Sequence, residues 1–390
     1  MVSPKVVVTG IGLMTALGSS ARINWQKLTA GESAIALRQP FLALPPMPLA
    51  MMGKRPLPMN EIVRSVVQEA WTDAGLELGK DGADLVGGVV IGSSRSHLRE
   101  WEAMAVQQRQ GSFKGDWLAA LPHTPALMAA RMIGSTGPVL APMAACATGV
   151  WAIAQAVDLI RSGQCERVVA GAVESPITPL TLAGFRKMGA LAKTGCYPFD
   201  CDRDGFVLGE GGAVVVLESA ALANKRNACV YGEVLGVGIT NDSHHVSAFD
   251  PTYRMGKRAV TTCLQRSGLN PDDVDAVHTH GTSTAQNDRM EAALIEQILG
   301  SHPLIMATKG STGHTLGASG AVVVALSLMS LKRQQSLPCV GLRRPDFELN
   351  FSQVAKAQPL SNILCFSFGF GGQNAVLALA SRSRARAVLQ

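Results

Sequence analysis

Short apolar runs bounded by glycine, serine or threonine alternate along this chain with longer stretches whose apolar positions recur every three or four residues. The runs at residues 5–9, 85–91, 168–172, 212–217, 230–237, 274–278 and 363–367 predict β-strands, and their alternation with helical stretches predicts α/β layers. Clusters of small residues follow several of these runs: Gly92-Ser93-Ser94, Gly281-Thr282-Ser283-Thr284 and Gly369-Phe370-Gly371-Gly372. In open α/β sheets, ligands gather beyond the carboxyl ends of strands, where loops of this kind lie. A coarse repeat accompanies the alternation. Strands, then a loop bearing reactive side chains, then a helix of small residues occur at 145–162 and again at 313–331. The repeat predicts two related βαβ halves, residues 1–225 and 226–390, and with no Pro/Ser linker between them they should pack as one unit.

Composition narrows this picture. Of 390 residues, 47% are hydrophobic and only 16% charged, so much of the chain must be buried. No apolar run approaches the ~18 residues of a membrane span, and the run at 321–326, which Ser327 interrupts, predicts a core helix. Val6-Val7-Val8 begins a strand at once, leaving no room for a signal peptide, and a cytosolic enzyme is expected. The 8 cysteines form no CxxC pair, and Cys165, Cys229 and Cys263 lie in apolar segments, so free thiols are expected. The net charge of +6 is a mild excess that fits either a well-solvated surface or an acidic partner drawn to a local basic patch. No basic run is interleaved with aromatic residues; the tail Arg382, Arg384 and Arg386 is read as disordered, and no nucleic-acid partner is expected.

Candidate chemistry centres on Cys146. The segment 137–150 leads into Val150, Ile153, Val157 and Ile160 at helical spacing, with Gly163 as a stop, so Cys146 falls at a strand-to-helix junction. Backbone N–H groups at a helix start favour a thiolate and predict a lowered pKa. The segment by itself also fits a buried core cysteine. Three further segments bear on the choice. Val277-His278-Thr279-His280-Gly281-Thr282-Ser283-Thr284 ends a strand in a histidine and small hydroxyl residues. Lys309-Gly310-Ser311-Thr312-Gly313-His314 places a lysine shortly before a second histidine, and Ser367-Phe368-Gly369-Phe370-Gly371-Gly372 forms a glycine loop carrying an aromatic ring.

In this order these segments resemble the β-ketoacyl-acyl carrier protein synthases of the elongating Cys-His-His group. The likeness runs from Val6-Val7-Val8-Thr9-Gly10-Ile11-Gly12 through Pro198-Phe199-Asp200 and Arg203-Asp204-Gly205-Phe206-Val207-Leu208-Gly209-Glu210-Gly211 to the final glycine loop. It implies a thiolase-like α/β fold, duplicated halves in a five-layered α-β-α-β-α sandwich, and a homodimer. It implies that Cys146 is acylated by a thioester, with the backbone N–H groups of Cys146 and Phe370 as oxyanion hole. His280 and His314 would be neutral Nε2 donors to a malonyl thioester losing CO₂, and Lys309 would order the site. Thr282, Thr284 and Ser247 would bind the pantetheine arm and Phe370 would gate the acyl chain, while Asp288 and Glu291 would support the histidine loop. No metal or separate cofactor is implied, because the substrates ride on the phosphopantetheine of an acidic acyl carrier protein. Lys54, Arg55, Arg186 and Lys187 lie in segments resembling its docking surface; ordinary solvated charge is the alternative.

The chain departs from the pattern at three places. Val323 stands where a glutamate partner for Lys309 is usual in the bacterial fatty-acid enzymes. Arg95 stands at the acyl-pocket floor, so it either turns away or makes the pocket short or polar. The stretch between Gly184 and Pro198 is short, which suggests a synthase of polyketide or secondary lipid assembly. A thiolase is disfavoured by the form of the loop after Cys365. Two alternatives remain: a catalytic subunit paired with a chain-length-factor-like paralogue, and a non-condensing acyl-binding paralogue.

Overall fold

The computed structural model describes residues 3–78 and 87–382. The chain opens with β1 (Val6–Thr15), α1 (Ala21–Thr29), a hairpin of β2 (Ile35–Arg38) and β3 (Met47–Ala50), and α2 (Met59–Asp73). It continues through β4 (Gly87–Gly92), α3 (Leu98–Arg109), α4 (Thr124–Ile133), β5 (Val139–Leu140) and α5 (Thr148–Arg161). Then come β6 (Arg167–Glu174), α6 (Pro179–Lys187), β7 (Gly211–Ser219) and α7 (Ala220–Lys225). The second part holds β8 (Gly232–Asn241), α8 (Arg254–Ser267), β9 (Ala276–His278), α9 (Ala285–Ile298) and β10 (Leu304–Met306). It ends with α10 (Lys309–Thr312), α11 (Ser319–Arg333), β11 (Asn362–Gly369) and β12 (Gln373–Ala380).

Ten strands form one sheet in the order β10-β9-β11-β12-β8-β1-β7-β6-β4-β5. Read inward from either edge, the pairing is the same. Two parallel pairs, β5–β4–β6 or β10–β9–β11, are followed by two antiparallel ones, β6–β7–β1 or β11–β12–β8. At the centre, Val6, Val7 and Val8 of β1 pair antiparallel with Val234, Glu233 and Gly232 of β8.

Both faces of the sheet are buried, which fixes the layers. Along β6 and β7, Val168, Ala170, Val215 and Leu217 face one core while Val169, Val173, Val214 and Val216 face another. Alternate residues of a strand point to opposite faces, so each strand can serve two cores. β11 and β12 repeat the pattern, with Ile363, Cys365, Ala375 and Leu377 on the shared core and Leu364, Phe366, Val376 and Ala378 on a third. Helices α2 and α4 cover one outer face, α8 and α9 the other, and α5 with α11 fill the shared core. The result is an α-β-α-β-α sandwich. The central helices approach closely because Gly149 has no side chain: a Cβ there would lie 2.3 Å from the Ala321 nitrogen.

Several sequence expectations are adjusted. Residues 316–333 form an 18-residue stretch of mean hydropathy 1.3, long and apolar enough by those measures to cross a bilayer, contrary to the expectation of no such run. That stretch is 89% buried, because it is the central layer between the sheet halves. The second small-residue helix starts at Ser319 rather than 313, since Gly313 turns the chain at φ +66°. Strands β2, β3, β5, β10 and β12 were not foreseen; the first four have 4, 4, 2 and 3 residues, and the Ala/Val/Leu run of β12 carries no period that separates strand from helix. Residues 85 and 86 lie outside the described residues, as do Arg384 and Arg386. Arg382 is tied down by a hydrogen bond to Asn224 Oδ1. All 8 cysteines are free, and Cys229, expected in an apolar setting, is exposed.

Candidate active site

Cys146 sits on a tight elbow before α5. Ala145 adopts a left-handed conformation (φ +47°), and the Thr148 hydroxyl accepts the Ala144 N–H at 2.9 Å while donating to the Ala145 carbonyl at 2.6 Å. The glycine loop after β11 closes over this turn. Ser367 Oγ donates to the Cys146 carbonyl at 3.1 Å, and the Phe370 N–H donates to the Cys146 thiol. A Cβ at Gly369 would lie 3.0 Å from the Cys146 nitrogen and from the Ala144 carbonyl oxygen, so a side chain there would press on the nucleophile's turn. Elements far apart in sequence therefore meet at one sulfur.

His280 follows β9 and His314 lies in the turn between α10 and α11. Their ring centroids are 5.2 Å apart at 84°, and one nitrogen of each lies within 4.8 Å of the Cys146 sulfur and of the other. Lys309 donates to the His280 carbonyl, and its Nζ stands 3.4 Å from His280 Nδ1. A donor at Nδ1 makes that nitrogen the acceptor and leaves Nε2 protonated, facing the site. His314 Nδ1 meets Ser319 Oγ at 3.1 Å, and a hydroxyl can serve either tautomer. Burial, with the Lys309 charge adding to it, holds both imidazoles well below their ordinary pKa, so both are neutral near pH 7.

The acidic pair on α9 props up the His280 loop. Glu291 accepts the N–H groups of His280 and Gly281, each at 2.6 Å, and Asp288 accepts those of Phe199 at 2.8 Å and Ser283 at 3.2 Å. Burial raises both carboxyls, Asp288 to about 6. Burial lowers Lys309, and Glu291 is the largest pull against that. Val323 is buried in the central core and offers Lys309 no charge; the largest charge opposing the effect of burial on Lys309 is that of Glu291.

The expectation of an acidic thiol is corrected. Burial pushes Cys146 up to about 11; Lys309, Arg95 and the Phe370 N–H pull it down without overcoming desolvation. The resting nucleophile is a thiol.

A cavity of about 350 Å³ opens onto Cys146, His280 and His314 and is also lined by Phe370, Thr282, Thr284 and Ser247. The Thr282 and Thr284 hydroxyls are 2.9 Å apart. Arg95 is not brought into this cavity: it is exposed, with its guanidinium 5.2 Å from the ring centre of Phe185. Lys54, Arg55, Arg186 and Lys187 are all exposed, and Arg186 and Lys187 immediately precede Met188 and Gly189, which line the cavity. A thiol with two imidazoles is also a set of zinc donors. A metal-bound histidine donates its second N–H to an acceptor, however, and at His280 that place is held by the donor Lys309. The constellation suits an oxygen that gains negative charge, held by Nε2–H groups beside a nucleophile.

Residues 55–223 match the family Beta-ketoacyl synthase, N-terminal domain, and residues 231–343 match Beta-ketoacyl synthase, C-terminal domain. The 3-oxoacyl-[acyl-carrier-protein] synthase 2 of Synechocystis sp. is 34% identical over 408 residues, covering 96% of this chain and 97% of the relative. This chain belongs to the β-ketoacyl synthase family. The synthase is similar in structure to a β-ketoacyl synthase from Burkholderia phymatum, with TM-score 0.89 and 27% identity, covering 97% of this chain and 99% of the other. It also superposes with TM-score 0.91 on a type II polyketide ketosynthase solved in complex with its acyl carrier protein, at 24% identity, over 97% of this chain and 100% of that one. The synthase has the thiolase-like fold of these enzymes.

Sequence reasoning missed several residues around the site of the synthase. Buried Glu174, at the end of β6, accepts from Ser93 Oγ, from Ser94 N–H at 2.8 Å and Oγ at 2.7 Å, and from Arg95 N–H at 3.1 Å. Ser94 Oγ also accepts the Gly317 N–H at 3.2 Å, joining this loop to the turn after His314. Phe185 and Phe206 pack edge to face at 5.1 Å, and Phe206 meets His314 at 5.3 Å. The Gly92-Ser93-Ser94 loop was a readable signal, but its meeting with Glu174, 80 residues along the chain, was not, and Phe185 carried no signal.

Proposed function

We propose that this synthase joins an acyl thioester to a malonyl thioester by decarboxylative Claisen condensation, both carried on acyl carrier protein. The meeting of a nucleophilic cysteine with two neutral imidazoles, one of them held with its Nε2 protonated by Lys309, carries this reading. Cys146 Sγ bonds to the acyl carbonyl carbon, the bond to the first carrier's sulfur breaks, and the thiol proton leaves on that carrier. His314, whose Ser319 partner accommodates either tautomer, is placed to pass that proton. The oxyanion rests on the N–H groups of Cys146 and Phe370, each such donor contributing roughly 3 kcal/mol. When the malonyl group loses CO₂, the electron pair of the broken C–C bond becomes an enolate whose oxygen faces His280 and His314. The enolate carbon bonds to the acyl carbon, the acyl–Sγ bond breaks, and Cys146 takes up a proton. The released product is a β-ketoacyl thioester.

Thr282, Thr284 and Ser247 are assigned to the pantetheine arm because they line the way to Cys146. Phe370 is assigned as gate because its half-buried ring packs 6.2 Å from Phe185 at the edge of the apolar cluster around Cys146. Arg186 and Lys187, with Lys54 and Arg55, are assigned to docking of the acidic carrier. The halves 1–225 and 226–390 are read as a duplication, supported by the palindromic sheet order. A second copy is proposed to cover the edge strand β5, where Val139, Leu140 and nearby Met143 are exposed. A cytoplasmic setting fits the 8 free thiols.

Intact-mass measurement after incubation with acylated carrier protein tests the core of this. The synthase is expected to gain one acyl group and Cys146→Ala none. Loading that persists in Cys146→Ala would refute the nucleophile.

A further inference from the structure

His278 is the last residue of β9, two before His280, and it is fully buried. Its ring is held at both nitrogens. Nδ1 meets Ser327 Oγ on α11 at 2.8 Å, and Nε2 meets Thr308 Oγ1 at 3.0 Å. The far end fixes the direction of both bonds. The Ser327 hydroxyl gives its own hydrogen to the Val323 carbonyl at 2.8 Å, a stronger acceptor than the Cys365 thiol it also meets, so it receives one from Nδ1. Nε2 is then bare and accepts the Thr308 hydroxyl. A charged ring donating at both ends is suppressed by burial and by the Lys309 charge, which together lower His278 to about 3.

Thr308 directly precedes Lys309. It stands at the N-cap of α10, where a threonine hydroxyl usually accepts a backbone N–H of the following turn, yet it makes no such bond. Its hydroxyl is turned to His278 instead. β9 and β10 run parallel with His278 beside Met306, which brings the two strand exits level. Consecutive residues of one exit are thus each tied to a histidine of the other: Thr308 to the His278 ring, and Lys309 to the His280 carbonyl. An imidazole offers one donor and one acceptor there and sets no charge against the Lys309 ammonium.

We propose that His278 is a positioning residue for CO₂ release: through Thr308 it holds the turn from which Lys309 reaches His280, and so keeps His280 in its Nε2–H tautomer. The inference rests on the condensing reading above, in which that tautomer meets the enolate oxygen. The donors run in one direction, from Thr308 Oγ1 through His278 Nδ1 to Ser327 Oγ, and end on a backbone carbonyl of α11. The buried central helix is therefore the fixed point for Lys309. Among the described residues, no hydrogen bond of His278 reaches the Cys146 elbow or the glycine loop, so acylation of Cys146 does not depend on it.

The test measures the two steps apart. Acyl loading of Cys146 is followed by intact mass, and CO₂ release by conversion of malonyl-carrier protein to acetyl-carrier protein. Thr308→Val removes the hydroxyl at nearly constant shape. His278→Asn keeps a donor near the place of Nδ1, and His278→Gln keeps an acceptor near that of Nε2. Thr308→Val and His278→Asn should each slow CO₂ release about tenfold and leave loading within about twofold of the parent. Combining the two should slow it no further, because both break the same bond. His278→Gln should recover most of the rate. In the slow variants, nitrogen NMR of the imidazoles should show His280 losing its single Nε2–H tautomer. Equal slowing of loading and CO₂ release, or equal effects of His278→Asn and His278→Gln, would overturn the inference and leave His278 a packing residue. An unchanged rate in Thr308→Val would overturn it too, and that variant decides alone if His278→Asn does not fold. Slowed release with an unaltered His280 tautomer would do the same. Failure of the parent to release CO₂ would overturn the condensing reading, and this inference with it.

Discussion

Lys309 donates to the backbone carbonyl of His280 and holds its Nζ 3.4 Å from Nδ1 of the same residue, so one buried cation fixes both the position and the tautomer of that histidine. The negative charge on Glu291 favours the charged form of Lys309 against its burial, while the same carboxyl accepts the His280 and Gly281 N–H groups. The three residues thus form one electrostatic unit.

Glu291→Gln removes that charge and keeps the side chain's shape. Without the opposing carboxylate, the Lys309 pKa falls further, so the ammonium is lost at a lower pH. The alkaline limb of CO₂ release from malonyl-carrier protein should move down by about one pH unit. A pH profile of decarboxylation measures this, and an unmoved limb would refute electrostatic support of Lys309 by Glu291.

Cys146 with a pKa of about 11 is almost wholly protonated at neutrality, with thiolate at about one part in ten thousand at pH 7. Alkylation of Cys146 by iodoacetamide should therefore rise about tenfold per pH unit from pH 7 to 9.5. Peptide mapping separates this site from the exposed Cys201 and Cys229. A rate that levels off near pH 7 would mean that the helix start and Lys309 outweigh desolvation after all.

Gly149 faces the backbone of α11, where an added Cβ would meet the Ala321 nitrogen at 2.3 Å. Gly149→Ala must push α5 and α11 apart in the most enclosed layer of the protein. It should cost about 2 kcal/mol or more, which a denaturant melt of the parent and the variant would show. An unchanged midpoint would mean that the layer can relax around a methyl group.

Some of the protein could be read directly from its residues. The strand at 168–172 and the helix after Cys146 are local matters of side-chain period and stop residues, and they occur where Val150, Ile153, Val157, Ile160 and Gly163 place them. Cys146, His280, Lys309 and His314 could be named because their segments, taken in order, resemble the motifs of the β-ketoacyl synthases.

Only the tertiary structure decided how these groups behave. The thiol is hard to ionise because desolvation depends on everything packed around it, which no helix-start signal reports. The charge that most favours the Lys309 ammonium comes from Glu291 on α9, an influence set by how that helix packs against the site. Arg95 came out on the face of Phe185 because Glu174, 79 residues further along, fixes its backbone. Periodicity along a chain determines which face of an element is buried; which charges then share that burial depends on distances that only the folded chain sets.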